Sequence, residues 1–280
     1  MLLDLRKIDP LINLWLDEDV NYYDLTAKIM VDDDAVAKFA MNAREPIVLS
    51  GLKIAEMIFR KMDPDCTFKT TRKDGERVDT GEAFAIITGN AQSLLTAERV
   101  ALNFLCHMSG VASLTRSYVE AVKDTGVEIC DTRKTLPGLR LFQKYAVWIG
   151  GGANHRFGLD DAILIKDNHI AAVGGISEAL DQAKLLGGHT QKIEIEVDNL
   201  AQLEEVLENG KADIVMLDNF DFPDLKKAVE MVNGALMTEA SGGVSLETVR
   251  AIAETGVDVI SIGALTHSAP QLDLALDIDV

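Results

Sequence analysis

From residue 127 onward the chain repeats one pattern. A short β-rich run closes on a polar residue or glycine, and a helix-like stretch follows. The runs are Val127 to Asp131, Ala162 to Lys166, Lys192 to Glu196, Asp213 to Asp218, Leu236 to Ser241 and Val257 to Gly263, with their last residues 22 to 35 positions apart. That is the spacing of consecutive βα units, which build parallel sheets. Runs such as Ile214 to Leu217 and Val259 to Ile262 are continuously apolar rather than alternating, as strands buried on both faces are. The pattern predicts a parallel α/β barrel, with an open doubly wound sheet as the alternative. A chain of 280 residues, 48% of them hydrophobic, can bury such a core and still carry an appendage.

The first hundred residues read differently. Ile54, Met57 and Ile58 mark a short amphipathic helix, and residues 35–51 and 68–89 look like antiparallel strands with turns at Asp74-Gly75 and Thr80-Gly81-Glu82. This predicts an α+β domain over 1–110 and a barrel domain over 111–269, with the tail from about 270 to 280 packing on the first. The joint is a long helical stretch from Gln92 to about Val122, interrupted at Ser109-Gly110.

Charge supplies the functional clue. The formal net charge is −18, yet residues 131–169 hold six Lys or Arg (Arg133, Lys134, Arg140, Lys144, Arg156, Lys166) against four Asp. Strand C-termini face the active site in such barrels, so the closers Asp131, Lys166, Glu196, Asp218 and Ser241 are expected to meet at one mouth. Two cations about 6 Å apart at an effective dielectric near 20 repel by roughly 2 to 3 kcal/mol, so gathered cations need an anion. The competing reading is a set of separate surface ion pairs, with Glu196 and Asp218 as ordinary strand ends.

Glu239-Ala240-Ser241-Gly242-Gly243 follows a strand and precedes a helix-like stretch, an arrangement whose backbone N–H groups can cradle phosphate; Ser261-Ile262-Gly263-Ala264 offers a second lip. Glu196 and Asp218 suit ribose hydroxyls and Mg²⁺, a hard cation that prefers carboxylate oxygen. Gly150-Gly151-Gly152 permits close backbone approach just before Asn154-His155-Arg156, and His155 is read as an orienting residue rather than an acid or base. Trp148 and Phe157 are read as core. Cys66, Cys106 and Cys130 lack a Cys-x-x-Cys pair and are read as reduced packing residues. A pI near 4.6 disfavours nucleic acid and anionic membranes as partners. With neither a signal-like leader nor a membrane-length apolar run, the expected location is cytoplasmic.

These motifs resemble quinolinate phosphoribosyltransferase over nearly the whole chain: residues 96–104, Asp131-Thr132-Arg133-Lys134-Thr135 through Arg140, Gly150 through Arg156, Leu164 through His169, Met216 through Asn219, Ala240 through Gly243 and Gly263 through Ser268. The resemblance implies an open, seven-stranded barrel with an N-terminal sandwich-like domain. It implies that quinolinate and 5-phosphoribosyl 1-pyrophosphate (PRPP) become nicotinate mononucleotide, pyrophosphate and CO₂, with Mg²⁺ on the pyrophosphate donor.

By the same match Arg99, Arg133, Lys134, His155, Arg156 and Lys166 would surround the two quinolinate carboxylates, Thr132 would also bind substrate, and Glu196 and Asp218 would hold ribose and metal. The turns at Ser241, Gly242 and Gly243 and at Gly263 and Ala264 would take the 5′-phosphate, and Lys134 or Lys166 would assist decarboxylation. The resemblance also implies a homodimer or larger assembly in which the residue matching Arg99 comes from the partner. One departure is Asn21-Tyr22-Tyr23, where the family has a glycine-rich turn. The alternatives are a molybdate-associated pyrophosphorylase-like protein, a non-catalytic anion-binding barrel, and a plain nicotinate phosphoribosyltransferase.

Overall fold

The structure is a computed structural model that describes residues 3–278. It divides into two compact units, 1–116 with 141–151 and 268–280, and 117–140 with 152–267.

The first unit begins with α1 (Leu5–Asp19), capped by the Asp4 carboxylate on the Arg6 N–H and burying Ile8, Ile12 and Leu16 along one stripe. After α2 (Leu25–Met30) come β1 (Val36–Ala43), β2 (Ile47–Val48), α3 (Leu52–Met62), β3 (Thr67–Thr70), β4 (Arg77–Val78) and β5 (Ala83–Asn90). The last strand of the chain, β12 (Leu274–Ile278), pairs antiparallel with β1, giving the sheet order β12-β1-β5-β3. Asp74 ties the unit together: its carboxylate accepts from the N–H groups of Gly51 and Leu52 at the start of α3 and from the Tyr145 hydroxyl at 2.9 Å.

The helix α4 (Ala91–Ala121) runs 31 residues without a break, which corrects the interruption expected at Ser109-Gly110. These small residues serve packing instead. The Ser109 hydroxyl accepts from the Ser50 N–H, and a Cβ at Gly110 would collide with the Pro270 carbonyl oxygen. Phe104 on α4 packs with Trp15 and with Phe142 of α5 (Arg140–Gly150). Trp148, on the outer side of α5, is 47% exposed, and Phe157 is 43% exposed, so neither is core.

The second unit is the parallel sheet that the spacing predicts. Its strands are β6 (Glu128–Cys130), β7 (Ile163–Ile165), β8 (Ile193–Val197), β9 (Ile214–Asp218), β10 (Met237–Ser241) and β11 (Val259–Ser261), in the order β6-β11-β10-β9-β8-β7. Every neighbouring pair is parallel. The seventh position is reduced to a single parallel bridge, Ala153 beside Cys130, because the chain reaches it through Gly151 and Gly152 and leaves at once into the Asn154 turn. β6 and β7 are successive named strands in the chain yet lie at opposite ends of the sheet order, so the barrel is open there.

The helices α6 (Asp167–Val173), α7 (Ile176–Leu186), α8 (Leu200–Asn209), α9 (Phe222–Val232) and α10 (Val249–Ala253) fill the crossovers, and α11 (Ala264–His267) follows β11. Asn199 and Asp221 cap α8 and α9 with side-chain oxygens, and Gly210 and Asn233 end them in the left-handed conformation. Register aligns the strand ends, with Ser241 opposite Asp218 and Glu196 opposite Met216. Side chains alternate along a strand, so the inward parity carries 164 and 166, 194 and 196, 216 and 218, and 239 and 241.

Candidate active site

These strand ends surround a cavity of about 390 Å³. Its rim carries Arg133, Lys134, Arg156 and Lys166, its acids are Glu196 and Asp218, and Thr132, His155, Ser241 and Ser261 complete the polar lining above Leu164 and Met216. Four of the six cations singled out in the sequence therefore meet. Arg140 and Lys144 do not: Arg140 ties two loops through the Thr135 hydroxyl and the Phe157 carbonyl, and Lys144 is buried on α5.

The loop after β6 turns tightly, with the Lys134 N–H donating to the Thr132 hydroxyl at 3.0 Å. Thr266 holds it from α11, its hydroxyl donating to the Lys134 carbonyl at 2.7 Å. Gly263 lies against the Lys134 stem, where a side chain would crowd it. The second cationic loop hangs on Asp131. This residue was expected at the mouth but is fully buried, because β6 presents Thr132 to the cavity and Asp131 has the opposite parity. Its carboxylate accepts from the His155 N–H at 2.9 Å and from the Asn154 amide at 2.7 Å, and so fixes the turn that carries His155 and Arg156.

Charge is arranged in two layers. In the upper one the Nε atoms of both Arg133 and Arg156 are buried with no hydrogen-bond partner among the described residues. Burial and the neighbouring Arg133 hold the Arg156 guanidinium below its usual pKa. Lys166, just after β7, is paired with Glu196 on the neighbouring strand β8. One strand step deeper lie Glu194 and Glu239, about 95% buried, which the sequence reading missed. Counting back two residues from the closers Glu196 and Ser241 finds both. Burial, then the neighbouring Glu194, pushes the Glu239 carboxyl up to about 7.

His155 joins the layers. Its Nδ1 accepts from the Arg156 N–H at 2.7 Å, so that nitrogen is unprotonated and the ring hydrogen is on Nε2. Nε2 lies 3.2 Å from Glu194 and 3.7 Å from Glu239. The ligand atoms of these three residues lie within 4.8 Å of one another, close enough for a metal ion. An imidazole bound to metal through Nε2 would carry its proton on Nδ1, facing the Arg156 N–H, so the trio suits a proton and not a cation. Glu196 and Asp218 fit Mg²⁺ better: they are hard oxygen donors that close adjacent strands and open on the cavity.

The remaining expected site residues lie outside the lining. Gly242 and Gly243 form the turn after β10, both at positive φ, and a Cβ on Gly242 would collide with the Asn219 side chain. Gly263 and Ala264 form the turn after β11. Helix α10 starts only at Val249, so no helix begins directly at the Ser241 turn. Arg99 sits on α4, exposed.

The family pattern described as "Quinolinate phosphoribosyl transferase, N-terminal domain" matches residues 24–109, and its "C-terminal domain" counterpart matches 111–277. The chain is 42% identical over 269 residues to the "Nicotinate-nucleotide pyrophosphorylase [carboxylating]" of Mycobacterium leprae (strain TN), covering 94% of each. It is 43% identical over 290 residues to "Quinolinate phosphoribosyltransferase [decarboxylating] 1b" of Nicotiana tabacum, covering 96% of this chain and 81% of that protein. The crystal structure of NadC from Streptococcus pyogenes superposes with a TM-score of 0.95 at 42% identity, covering 99% of this chain and 98% of that one.

Proposed function

Since this chain belongs to the quinolinate phosphoribosyltransferase family, we propose that its cavity holds quinolinate beside PRPP. The chain is a decarboxylating quinolinate phosphoribosyltransferase of NAD biosynthesis, making nicotinate mononucleotide, pyrophosphate and CO₂. The observation that carries the assignment of residues is the pair of buried arginine Nε–H groups without acceptors among the described residues, flanked by Lys134 and Lys166.

Quinolinate is a dianion whose carboxylates repel each other. Arg133 and Arg156 offer planar forks for carboxylate oxygens, while Lys134 and Lys166 supply movable point charges. Held there, the ring nitrogen faces ribose C1 and displaces pyrophosphate through a transition state of oxocarbenium character. Glu196 and Asp218 hold the ribose hydroxyls, and the turns at Ser241 to Gly243 and Gly263 to Ala264 receive the 5′-phosphate. Mg²⁺, held through PRPP and water near Glu196 and Asp218, would offset charge on the departing pyrophosphate.

Transfer leaves the ring nitrogen quaternary and positive, so its charge stabilises the electron pair that stays on C2, in the ring plane, as CO₂ departs. Lys134 or Lys166 then stands beside the carbanion, which takes up a proton. Arg99 is exposed on α4, and Leu14, Ile29 and Met30 are apolar and exposed. We read this as a homodimer or larger assembly in which Arg99 of a partner copy completes the cavity. No helix among the described residues is long and apolar enough to cross a membrane, and the cytoplasm is our assignment.

Pyrophosphate release tests the reading, measured with quinolinate, nicotinate or no acceptor, with and without Mg²⁺. Quinolinate-dependent release that requires Mg²⁺ is expected. Equal release with nicotinate would overturn the diacid assignment, and binding without release would mark an anion sensor.

A further inference from the structure

Beneath the cations, two carboxylates face one imidazole nitrogen from inside the barrel. Glu194 comes from β8 and Glu239 from β10, and both are almost wholly removed from water. Burying two acids side by side is expensive unless they hold something in place. What they face is His155 Nε2, while the other nitrogen of the same ring accepts the backbone N–H of Arg156. An imidazolium would set two N–H groups head to head at Nδ1, and the opposite tautomer would do the same. Only the neutral Nε2–H form satisfies both ends.

We infer that Glu194 is a positioning residue for this reaction, with Glu239 a second buried acid behind it: Glu194 locks His155 as a neutral Nε2–H imidazole, and through its Nδ1 sets the backbone, and hence the guanidinium, of Arg156. The chain of contacts runs Glu194 Oε2 to Nε2–H at 3.2 Å, then Nδ1 to the Arg156 N–H at 2.7 Å. Asp131 holds the same turn from the other side through the His155 N–H. With both ring nitrogens engaged, His155 meets the ligand with its carbon-bound edge and face, a flat uncharged wall beside a pyridine ring. The two acids also offset the cations above them, Glu194 acting on Arg156 and Glu239 on Lys166.

The kinetic part of this inference rests on the cavity being the quinolinate site; the tautomer part does not. The ¹⁵N-labelled protein without ligand is therefore measured first, by long-range proton–nitrogen correlation, with His155 assigned by the loss of its signals in His155→Gln. Widely split ring shifts of an Nε2–H imidazole are expected. An imidazolium, an Nδ1–H tautomer, or shifts that a chelator moves would overturn the inference, the last because it would reveal a bound metal.

Glu194→Leu is expected to raise the KM for quinolinate about 10-fold, as loss of a buried hydrogen bond does, with the KM for PRPP unchanged. Glu194→Gln keeps an acceptor oxygen and should recover most of the loss. A merely structural role would lower Tm and leave both KM values alone, and that result would also overturn the inference. Should Glu194→Leu fail to fold, the spectra of the parent protein and of Glu194→Gln decide. If quinolinate is not turned over at all, the substrate reading falls, and the His155 spectrum still judges the lock.

Discussion

The rim of the barrel and the layer one strand step beneath it are built from the same strands and handle charge in opposite ways. At the rim, Arg133 and Arg156 keep buried Nε–H donors without acceptors among the described residues, and Lys166 pairs with Glu196. In the lower layer, Glu194 and Glu239 are sealed from solvent and face a histidine. The rim offers its spare donors to a ligand, whereas the lower layer turns its acids toward a histidine of the same barrel. Preorganised donors of this kind need no rearrangement when an anion arrives, which is how such sites gain rate.

The contrast can be broken from the top. Arg133→Ala should lower kcat/KM for quinolinate by about 1000-fold or more, the scale of removing one partner of a buried charge-assisted contact, with Tm little changed because the side chain serves a ligand. A large fall in Tm with modest kinetic loss would move Arg133 into the scaffold. Asp131→Ala attacks the support instead: two donors that this carboxylate accepts lose their partner, and stability should fall by about 3 kcal/mol in urea unfolding. A neutral outcome would mean that the Asn154 turn is held by other contacts.

The lower layer is sharpened by pH. Glu239 is pushed up to about 7, above its ordinary value of 4.5, so the folded protein holds a proton that the unfolded chain has released. Its unfavourable contribution is absent below about pH 4.5, grows as pH rises, and is complete above about pH 7. Glu239→Gln should flatten this decline in Tm between about pH 5 and 7; an unchanged slope would assign the proton elsewhere. The smallest effect is expected at Thr266→Val, which frees the Lys134 carbonyl and should raise the quinolinate KM about 3-fold, with Thr266→Ser close to the parent.

Much of the second unit was legible because burial on both faces writes strands as apolar runs, and each closer marks a strand end: Lys166, Glu196, Asp218 and Ser241 all reach the cavity. Asp131 misled because a closer announces where a strand stops and not which face it presents. Glu194 and Glu239 were overlooked because acids inside apolar runs look like interruptions until the parity of each strand is counted back from the mouth. In the first unit, α1 escaped notice because Pro10 lies inside it, and a proline within a helical pattern reads as a stop. Ser109-Gly110 looked like a break for a related reason: local propensity cannot see the Pro270 backbone that requires a glycine there.

The most direct measurement is a crystal structure of the protein with quinolinate. Both carboxylates are expected within hydrogen-bonding distance of Arg133, Arg156 and the two lysines, with the Lys166 ammonium drawn from Glu196 toward the ligand. Quinolinate bound elsewhere, or lying in the cavity with the arginine Nε–H groups still unpartnered, would contradict that placement.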